Sequence, residues 1–513
     1  MTPPHVSSLL DRSPWPACPR PFNMAAHVLQ HAESLPDKVA LAVLGPARAE
    51  RWSYARLATA IRGTATGLLQ SGLAPGDRVL LRLGNTPDFP IAYLGCITAG
   101  ILPVPTSAQL TEEEVQKLAS IVDPACALRA PDIACPDALA QISQDKLRTF
   151  HELPPAPFAM GDPDRPAYII FTSGTSGTPR AVVHAHRAIW ARGMMHAGWY
   201  GLTGTDRLLH AGGFNWSFTL GTGLMDPWSV GATALIPAAN TAPQMLPLLL
   251  KRHDATIFAA APGVYRQILK HHQSFDLPKL RHGLAAGEKL SETLRARFQA
   301  ASGRAIYEAY GMSECSTFIS ASPDAPAAPG ALGTAQRGRR IALMRDGAPV
   351  ARGETGEIAV DAADPGLMLG YCNAAGATAE RLHDGWFHTG DLARMDADGQ
   401  IFYEGRADDM MNAGGFRVSP LEVEACLQSL AGIESVAVTD VEIKPEVRVI
   451  AAFYTGPEAL PEEQLRAHAE AHLARYKQPR LFRHLDGLPT GPNGKLSRAA
   501  LRRSFSPDTG QNT

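Results

Sequence analysis

Nine consecutive residues, from Thr172 to Arg180, restrict the structure of this chain more than any other segment. They read Thr-Ser-Gly-Thr-Ser-Gly-Thr-Pro-Arg, so the run combines two glycines, five hydroxyl groups and a terminal cation. Glycines allow a sharp turn that brings backbone N–H groups close to an anion, and the hydroxyls and the arginine add further donors. The preceding segment, from Tyr168 to Phe171, is apolar and typical of a buried strand. The sequence therefore predicts a polyphosphate-binding loop at the end of a strand.

This loop differs from the common P-loop, because Gly177 is followed by Thr-Pro-Arg and not by the Lys-Ser/Thr pair of that motif. The alternative interpretation is a solvated Ser/Gly linker. Linkers rarely follow an apolar strand or end in Pro-Arg, so phosphate binding is the better interpretation. The residues expected to contact the phosphates are Thr172, Ser173, Gly174, Thr175, Ser176, Gly177, Thr178 and Arg180.

The rest of the chain has the pattern of a large α/β body followed by a smaller unit. Apolar segments of strand length, such as 79–81 and 232–236, alternate with segments of helical period between residues 28 and 250. A Gly- and Pro-rich stretch then precedes a strand-like segment at 357–360, which begins a small β-rich section. We place the domain boundary at Asp408, which gives an N-terminal domain of residues 1–407 and a small α+β C-terminal domain of residues 408–513.

The C-terminal unit is predicted to open with a helix. Ser419 is the expected N-cap, Pro420 occupies the first helical position and Glu422 completes a capping box. Val423, Leu427 and Leu430 would then form one apolar stripe, and strands are expected at 436–438 and 447–453.

Charge and cysteine content exclude several classes of protein. Forty-eight basic residues against fifty acidic ones leave a net charge of -2, which gives no reason to expect nucleic acid or an anionic membrane as a partner. Seven cysteines without CxxC spacing disfavour a disulfide framework or a metal site and indicate a reducing cytoplasm. No signal peptide is visible, and the almost uncharged stretch at 89–105 carries prolines and glycines typical of a core segment and not of a membrane span.

Five further segments follow the phosphate loop in a fixed order. They are Ala286-Gly287-Glu288, Tyr310-Gly311-Met312-Ser313-Glu314, Thr389-Gly390-Asp391, Gly405 to Asp409, and Gly494-Lys495. In this combination they resemble the acyl-adenylate-forming superfamily of acyl-CoA synthetases, carrier-protein adenylation domains and luciferases. The resemblance covers residues 25–503. The segments at 210–216, 261–266 and 286–288 look like the branch of benzoate-CoA ligases and medium-chain acyl-CoA synthetases.

The resemblance implies a reaction in two steps. A carboxylate attacks the α-phosphate of ATP to give acyl-AMP and pyrophosphate, and the thiol of coenzyme A then displaces AMP. Two anions react in the first step, so the site must neutralise charge with backbone donors, cations and Mg²⁺. The implied protein is a soluble, cytoplasmic acid-CoA ligase, whose substrate is an aromatic, benzoate-like acid or a short- or medium-chain acid.

The resemblance also assigns roles to individual residues. Glu314 would hold Mg²⁺, a hard ion suited to oxygen ligands, and Ser313 would donate to the α-phosphate. Lys495 would stabilise the transition state of adenylation. Asp408 would be the hinge about which the small domain reorients between the two steps. The residues expected around adenine and ribose are Gly287, Glu288, Tyr310, Gly311, Asp391 and Arg406, the carboxylate of Asp391 accepting from both ribose hydroxyls.

Five residues are candidates for the acyl pocket, with core packing as the alternative for each: Phe214, Trp216, Tyr265, Ala286 and Gly311. A glycine at 311 would leave room for a ring or a short chain. Arg180 and Ala181 replace a lysine and a glycine that are usual in the family, which keeps the charge and costs little if the backbone is not left-handed. Asn412 replaces a lysine, so contacts in the thiol step are open.

Two other functions stay open at this stage. One is a separate adenylation protein that loads a carrier-protein thiol, although no carrier domain follows within this chain. The other is an adenylate-binding regulatory protein on an inactive ligase scaffold, which the joint presence of Glu314, Asp391, Arg406 and Lys495 disfavours. The sequence does not determine the acid or the oligomeric state, and a homodimer stays open.

Overall fold

A computed structural model describes residues 6–172, 179–239, 241–407, 409, 411–413, 416–444, 447–473, 475–490 and 496–505. The chain forms two compact units. The larger unit consists of Leu10–Ile341 and Val360–Phe387, and the smaller one of Met1–Leu9, Ala342–Ala359 and His388–Thr513. The predicted boundary at Asp408 falls outside the described residues and stays a prediction.

The larger unit contains a nine-stranded sheet whose centre is parallel. Six neighbouring strands, from Ile306–Met312 at one side to Val39–Leu44 at the other, run in the same direction, and antiparallel strands close both edges. Parallel strands need crossover segments, and helices supply them here. In spatial order the strands are Thr334–Ala335, Ser316–Ser320, Ile306–Met312, His282–Ala286, Ile257–Ala260, Arg207–His210, Thr233–Pro237, Val39–Leu44 and Ala49–Ser53.

Two smaller sheets belong to the same unit. A parallel sheet has the order Leu102–Pro105, Arg78–Arg82, Cys126–Arg129 and Gln141–Ser143. An antiparallel sheet has the order Gly370–Tyr371, Arg180–Ala185 and Pro166–Thr172. This second sheet is the one that carries both ends of the predicted phosphate loop.

Helices of the larger unit fill the connections between these strands. The longest, Tyr54–Gln70 and Asp88–Ala99, pack in an apolar core that includes Tyr54, Phe89 and Trp228. The other helical segments are Met24–Val28, Glu112–Val122, Gln144–Phe150, Arg187–Ala191, Gly193–Met195, Asp226–Ser229, Leu246–Arg252, Pro262–His271, Glu292–Ser302 and Ala375–Arg381, with 3-10 turn Pro243–Met245 and π-helices His196–Tyr200 and Thr219–Met225.

Strands Arg340–Arg345, Thr355–Asp361 and Trp386–Met395 lead the chain from one unit into the other. Within the smaller unit, Trp386–Met395 continues antiparallel to Ile401–Arg406. A hairpin of Met411–Ala413 and Phe416–Val418 follows, and then a sheet of Ser435–Lys444, Val447–Thr455 and Leu481–His484. Its helices are Pro420–Gln428, Glu462–His472 and Arg498–Ser504, with a 3-10 turn at Arg475–Lys477. Short strands Leu10–Asp11, Ala348–Pro349 and Leu382–His383 pair at the edges.

The α/β class predicted from the sequence is confirmed, and so are the strands expected at 79–81, 168–171, 232–236, 357–360, 436–438 and 447–453. The capping box at Ser419 was a wrong prediction. The helix does begin at Pro420, and Val423 and Leu427 are buried, but the Ser419 hydroxyl donates to the Glu404 carbonyl oxygen. Glu422 instead pairs with Lys477 at 2.5 Å.

The stretch at 89–105 lies in the core as expected, because every residue of helix Asp88–Ala99 is buried. Within the described part of the chain, no helix combines the length and hydropathy needed to cross a bilayer. All seven cysteines are free thiols.

Candidate functional site

Four adjacent parallel strands of the nine-stranded sheet end beside the predicted site segments. His210, Ala260, Ala286 and Met312 are their last residues. The segments that follow them are 211–218, 261–266, 287–290 and 313–315, which contain most of the residues singled out in the sequence. Carboxyl ends of parallel strands meet at one edge of a sheet, where ligands bind in open α/β folds. The fold therefore gathers at one edge motifs that lie about a hundred residues apart in the sequence.

Gly287 and Trp216 meet at this edge. Gly287 has a φ of +93°, and a Cβ there would lie 2.7 Å from Cζ2 of Trp216. Glycine is therefore required twice over, by the left-handed backbone and by the indole ring. The next residue, Glu288, is partly exposed and its carboxylate lies 3.3 Å from the Arg266 guanidinium.

The Tyr310 to Glu314 segment turns from strand Ile306–Met312 into its antiparallel neighbour. The register shifts between Tyr310 and Gly311, and the Tyr310 ring contacts Phe318 edge-on at 5.3 Å. A Cβ on Gly311 would lie only 2.1 Å from the Ser316 carbonyl oxygen. The glycine is thus required by the neighbouring strand. This corrects the expectation that its missing side chain leaves room for a ring.

The antiparallel hairpin fixes both ends of the phosphate loop. Thr172 and Arg180 are paired in register, and Ala181 lies buried in the strand with no left-handed backbone, so its replacement of glycine is tolerated. The six residues between Thr172 and Pro179, namely Ser173, Gly174, Thr175, Ser176, Gly177 and Thr178, lie outside the described residues.

Arg180 and Glu314 are linked through a tyrosine that the sequence analysis did not identify. The Arg180 guanidinium lies 5.1 Å from the centroid of the Tyr371 ring, and the Tyr371 hydroxyl donates to Oε1 of Glu314 at 2.8 Å. Burial and the Glu314 carboxylate raise the pKa of Tyr371, so the hydroxyl keeps its proton. The signal available in the sequence was weak: Tyr371 follows Gly370 in a short two-residue strand.

Glu314 is a buried carboxylate, 6% exposed. No lysine, arginine or histidine of the described chain lies within ion-pair distance of its carboxylate. Buried charges are normally paired or bound to a metal ion. One oxygen receives the Tyr371 hydroxyl, and a hard oxygen donor of this kind suits Mg²⁺. The residues present therefore fit the metal that the motif implies.

Glu308, on strand Ile306–Met312, supports the segment that follows Gly287. Its Oε1 accepts from the Leu290 backbone N–H at 2.8 Å, and Oε2 lies 3.2 Å from the Arg295 guanidinium. Burial raises the pKa of Glu308 to about 7, against the opposing effects of the Leu290 N–H and Arg295. No sequence motif pointed to this residue.

Three of the other acyl-pocket candidates are buried. Phe214 is 1% exposed and packs against Phe89 with ring centroids 5.5 Å apart. Tyr265 is fully buried, and its hydroxyl donates to the carbonyl oxygens of Phe258 and Leu284. Its contacts are those of a core residue, which was the alternative weighed for it. Ala286 is buried at the end of its strand, and Trp216 is partly exposed beside Gly287.

Asp391 and Arg406 come together in the smaller unit. They are register partners on antiparallel strands, with Oδ1 of Asp391 lying 3.6 Å from Nη1 of Arg406. The Tyr403 hydroxyl donates to the same oxygen at 3.1 Å. Thr389 donates to the Ile358 carbonyl and accepts from the Asp391 N–H, which fixes the turn through Gly390. Asp408 and Lys495 lie outside the described residues.

Comparison with known protein families supports the resemblance found in the sequence over nearly the whole chain. Residues 28–372 match the model of the AMP-binding enzyme family, and residues 422–495 match the AMP-binding enzyme C-terminal domain. The chain belongs to the AMP-binding enzyme family. This confirms the superfamily that the ordered motifs predicted.

Relatives with named activities are similar to this chain over most of their length. A 3-hydroxybenzoate-CoA ligase of Aromatoleum sp. (strain CIB) is 30% identical, with 92% of this chain and 94% of the relative covered. The structure of a benzoate CoA ligase from Burkholderia xenovorans LB400 has a TM-score of 0.82 and 26% identity, covering 94% of this chain and all of the other. An anthranilate CoA ligase in complex with anthranoyl-AMP has the same fold, with a TM-score of 0.86, 24% identity and coverage of 95% and 98%.

A second cluster in this AMP-binding enzyme has side chains of the metal-ligating type. Ligand atoms of Cys426, His468 and His472 lie within 4.8 Å of one another. One nitrogen of each histidine already contacts a backbone carbonyl, at 3.0 Å for His468 and 2.8 Å for His472. The cluster joins two helices of the smaller unit.

Proposed function

We propose that this AMP-binding enzyme is an AMP-forming acid-CoA ligase. A carboxylic acid and ATP would give acyl-AMP and pyrophosphate, and the thiolate of CoA would then displace AMP to give the acyl-CoA. The observation that carries the proposal is the joined set of Arg180, Tyr371 and Glu314 beside the carboxyl ends of the parallel strands. A cation, a neutral hydroxyl and a buried carboxylate without a cationic partner among the described residues, together with a strand that leads into a hydroxyl-rich run, suit a metal-bound nucleoside triphosphate.

Each residue of the larger unit has a task in this proposal. The run from Thr172 to Arg180 holds the β- and γ-phosphates, with Arg180 adding charge. Ser313 donates to the α-phosphate, while Tyr310 and Gly287 border the adenine. When bound at Glu314, Mg²⁺ would neutralise phosphate charge. Ser313 is held in place by His184, whose Nε2 contacts its carbonyl oxygen at 2.7 Å.

Asp391, Arg406 and Lys495 have further roles in the proposal. Asp391 accepts from the ribose hydroxyls, and its pairing with Arg406 and Tyr403 orients the carboxylate. Lys495 neutralises the reacting carboxylate and α-phosphate while they combine. We place the enzyme in a reducing cytoplasm, in keeping with its free thiols.

The acid is proposed to be aromatic. The named relatives act on benzoate, 3-hydroxybenzoate and anthranilate, and two of the acyl-pocket candidates of this chain, Phe214 and Trp216, have aromatic rings. Short- and medium-chain acids are the second class to be tested.

The test is pyrophosphate release from purified enzyme, ATP and Mg²⁺ with a panel of benzoates and straight-chain acids. We expect release with an aromatic acid, and formation of its CoA thioester and AMP when CoA is added, detected by mass spectrometry. Glu314→Gln serves as the inactive control, expected to lower release at least a hundredfold. Product on a phosphopantetheinylated carrier but not on CoA would favour the carrier-loading alternative. Tight AMP binding without pyrophosphate release from any acid would contradict the ligase proposal.

A further inference from the structure

Cys426, His468 and His472 bring metal-ligating side chains together in the smaller unit. Cys426 lies on helix Pro420–Gln428, and the two histidines lie on helix Glu462–His472. Each residue offers one ligand atom, and the three atoms lie within 4.8 Å of one another. Within the described part of the chain, no other set of three histidine, cysteine or acidic side chains converges in this way. None of the three has a part in the proposed reaction.

The two histidines lie on one face of their helix, because they are four residues apart. Side chains at this spacing are neighbours on an α-helix, and the two rings have centroids 4.5 Å apart. The same spacing supplies two zinc ligands in helical metal motifs. The lack of CxxC spacing disfavoured a metal site in the sequence, but cysteine spacing cannot indicate a site whose ligands come from two helices.

Apolar packing holds the two helices against each other. Residues of both are buried in one core of the smaller unit, namely Val423, Leu427, Leu465 and Ala469. Cys426 and His468 are each next in sequence to one of these residues and are partly buried, while His472 is exposed. The core therefore brings the three ligands together at its margin, on a side that solvent can reach.

Backbone carbonyl oxygens determine the tautomer of both rings. Nε2 of His468 lies 3.0 Å from the Cys426 carbonyl oxygen, and Nδ1 of His472 lies 2.8 Å from the His468 carbonyl oxygen. A carbonyl oxygen can only accept, so these two nitrogens carry hydrogen, and the other nitrogen of each neutral ring keeps a lone pair. Histidines that bind metal ions usually donate their second N–H to a carbonyl or carboxylate oxygen in the same way.

Helix capping is the alternative role for these histidines. Each ring donates to a carbonyl oxygen near the C-terminus of a helix, where carbonyl groups lack partners within the helix. The Ser429 hydroxyl also donates to the Cys426 carbonyl oxygen, at 2.7 Å. Capping occupies one nitrogen of each ring, and it leaves the second nitrogen and the Cys426 thiol without a role. The convergence of three ligands is therefore the observation that capping does not explain.

The residue types select the metal ion. One thiolate and two imidazoles suit a borderline-soft ion such as Zn²⁺ and not Mg²⁺, which prefers oxygen ligands. Donor atoms of a tetrahedral zinc site of this kind lie about 3.3–3.6 Å apart, so a small rotation of the exposed side chains closes the site. Burial and the Glu422 carboxylate raise the pKa of the Cys426 thiol, so the thiol would lose its proton to solvent as the Zn–S bond forms.

We propose that Cys426, His468 and His472 bind one Zn²⁺ ion, which links the two helices of the smaller unit and leaves its fourth coordination position to water. The site differs in chemistry from the Mg²⁺ site proposed at Glu314, whose donors are oxygen atoms. Because the ion binds the folded helices, it stabilises the smaller unit. This role does not depend on the ligase reaction.

The test is isothermal titration of the chelator-treated, full-length enzyme with ZnCl₂, in the presence of a phosphine reductant. ATP and CoA are left out, because both bind zinc themselves. We expect one Zn²⁺ per chain, a Tm that rises with the Zn²⁺ concentration and no competition from excess Mg²⁺. Co²⁺ is the second probe, because a thiolate bound to Co²⁺ gives a near-ultraviolet charge-transfer band that histidine ligands alone do not give.

Cys426→Ser and His472→Gln each remove one ligand at a site that solvent reaches. We expect each to weaken Zn²⁺ binding by more than about tenfold, and Cys426→Ser to abolish the Co²⁺ band. Cys18→Ser is the matched control for the thiol, since Cys18 is also free and partly buried. His271→Gln is the matched control for the imidazole, since His271 is exposed and also ends a helix. Both controls should bind Zn²⁺ as the parent does, and a Tm without metal checks that each variant is folded.

Three outcomes would overturn the proposal. They are the absence of Zn²⁺ binding by the parent, equal affinity of the parent and both ligand variants, and a Co²⁺ complex without the thiolate band. Each can occur in an active ligase, so the failure of this proposal is distinct from the failure of the proposed function.

Discussion

Glu314 and Tyr371 show how single buried polar groups shape this site. Glu314 is a carboxylate with no cationic partner in the described chain, and Tyr371 supplies a protein hydrogen bond to it. A donor to a buried carboxylate holds one of its oxygens in place and leaves the other free to bind a ligand. Motifs in the sequence identified the carboxylate, because it lies in a recognisable run. The donor could not be found in the same way, since Tyr371 is brought close only by the pairing of two distant strands.

Tyr371→Phe is expected to weaken the metal-bound nucleotide site without unfolding the protein. Loss of one hydrogen bond to a charged group costs about 1.5–3 kcal/mol. We therefore expect pyrophosphate release slower by about ten- to a hundredfold and a higher Mg²⁺ concentration at half-maximal rate. Titrating Mg²⁺ at saturating acid measures both. Tyr54→Phe is the matched control, because the buried Tyr54 hydroxyl donates to the Ala232 carbonyl oxygen in the core. It should leave the Mg²⁺ dependence as it is in the parent, and an equal effect of both variants would contradict a specific role for Tyr371.

Glu308 makes stability depend on pH. Its pKa is raised to about 7 from an ordinary value near 4.5, so the folded protein favours the protonated carboxyl group. The stabilisation is complete below pH 4.5 and is lost as the pH rises through 7. A displacement of this size corresponds to roughly 3 kcal/mol.

Glu308→Gln is expected to remove this dependence, because an amide does not titrate. Its Tm relative to the parent should rise steadily between pH 5 and pH 8, measured by differential scanning fluorimetry. Parallel Tm curves for the two proteins would show that Glu308 does not titrate in this range.

At the scale of helices and strands, the regularity of the hydrophobic pattern determined which elements could be predicted from the sequence. Apolar runs in the sequence indicate strands such as Pro166–Thr172 and Val447–Thr455. A proline followed by apolar residues at helical spacing indicates the helix that begins at Pro420. The π-helix Thr219–Met225 has no such signature, because its glycines serve contacts with other parts of the chain. A Cβ on Gly221 would lie 2.2 Å from Cζ of Arg192, and one on Gly223 2.8 Å from Cβ of His210. Those partners are distant in sequence, so the pattern could not be read from the segment alone.

Gly221→Ala tests this packing. The Arg192 guanidinium is held by Asp226 and Ser316 and cannot move aside without breaking a buried ion pair, which costs about 3–5 kcal/mol. We expect a Tm lower by several degrees. Gly263→Ala is the matched control in helix Pro262–His271, where the nearest atom to a new Cβ is Arg266 Nη2 at 3.6 Å. Alanine is the better helix former by about 1 kcal/mol, so this variant should be as stable as the parent or more so. A Tm loss of the same size in both would contradict the steric explanation.

For the whole molecule, the order of the motifs was enough to identify the family, and the fold class followed from it. The residue-level arrangement within the site was only partly predictable. Gly287 and Ser313 follow the ends of neighbouring parallel strands, but Gly311 serves strand pairing and Tyr265 packs in the core. The sequence records which residues form a motif, while the reason for each residue depends on neighbours that only the folded chain supplies.

The two half-reactions are expected to separate when the junction at Asp408 is locked. Proline fixes φ near -65° and removes an N–H, so a residue that must change its backbone angles between two domain poses can no longer reach both. We expect Asp408→Pro to retain part of the adenylation activity and to lose overall ligation, with a melting curve to confirm folding. A folded variant that ligates at the parent rate would show that the hinge lies elsewhere.

Lys495→Ala is the complementary variant. Charge neutralisation at the carboxylate is needed only while acid and ATP react, so acyl-AMP formation should be lost. The thiol step, started from synthetic acyl-AMP and CoA, should stay largely intact. Equal loss of both steps in this variant would refute the assignment of Lys495.

Four candidate site segments are attached to the ends of four neighbouring strands, and this arrangement has a practical consequence for engineering. Each segment follows its own strand, so its length and composition can be varied while the sheet keeps the other three strands in register. Under the proposed roles, a library confined to residues 211–218 would change the surroundings of the acid and leave the segments proposed to face the nucleotide, 287–290 and 313–315, untouched. We therefore expect that the substrate range can be changed by exchanging one loop at a time. A new specificity then requires a change in a single connecting segment and not in the sheet.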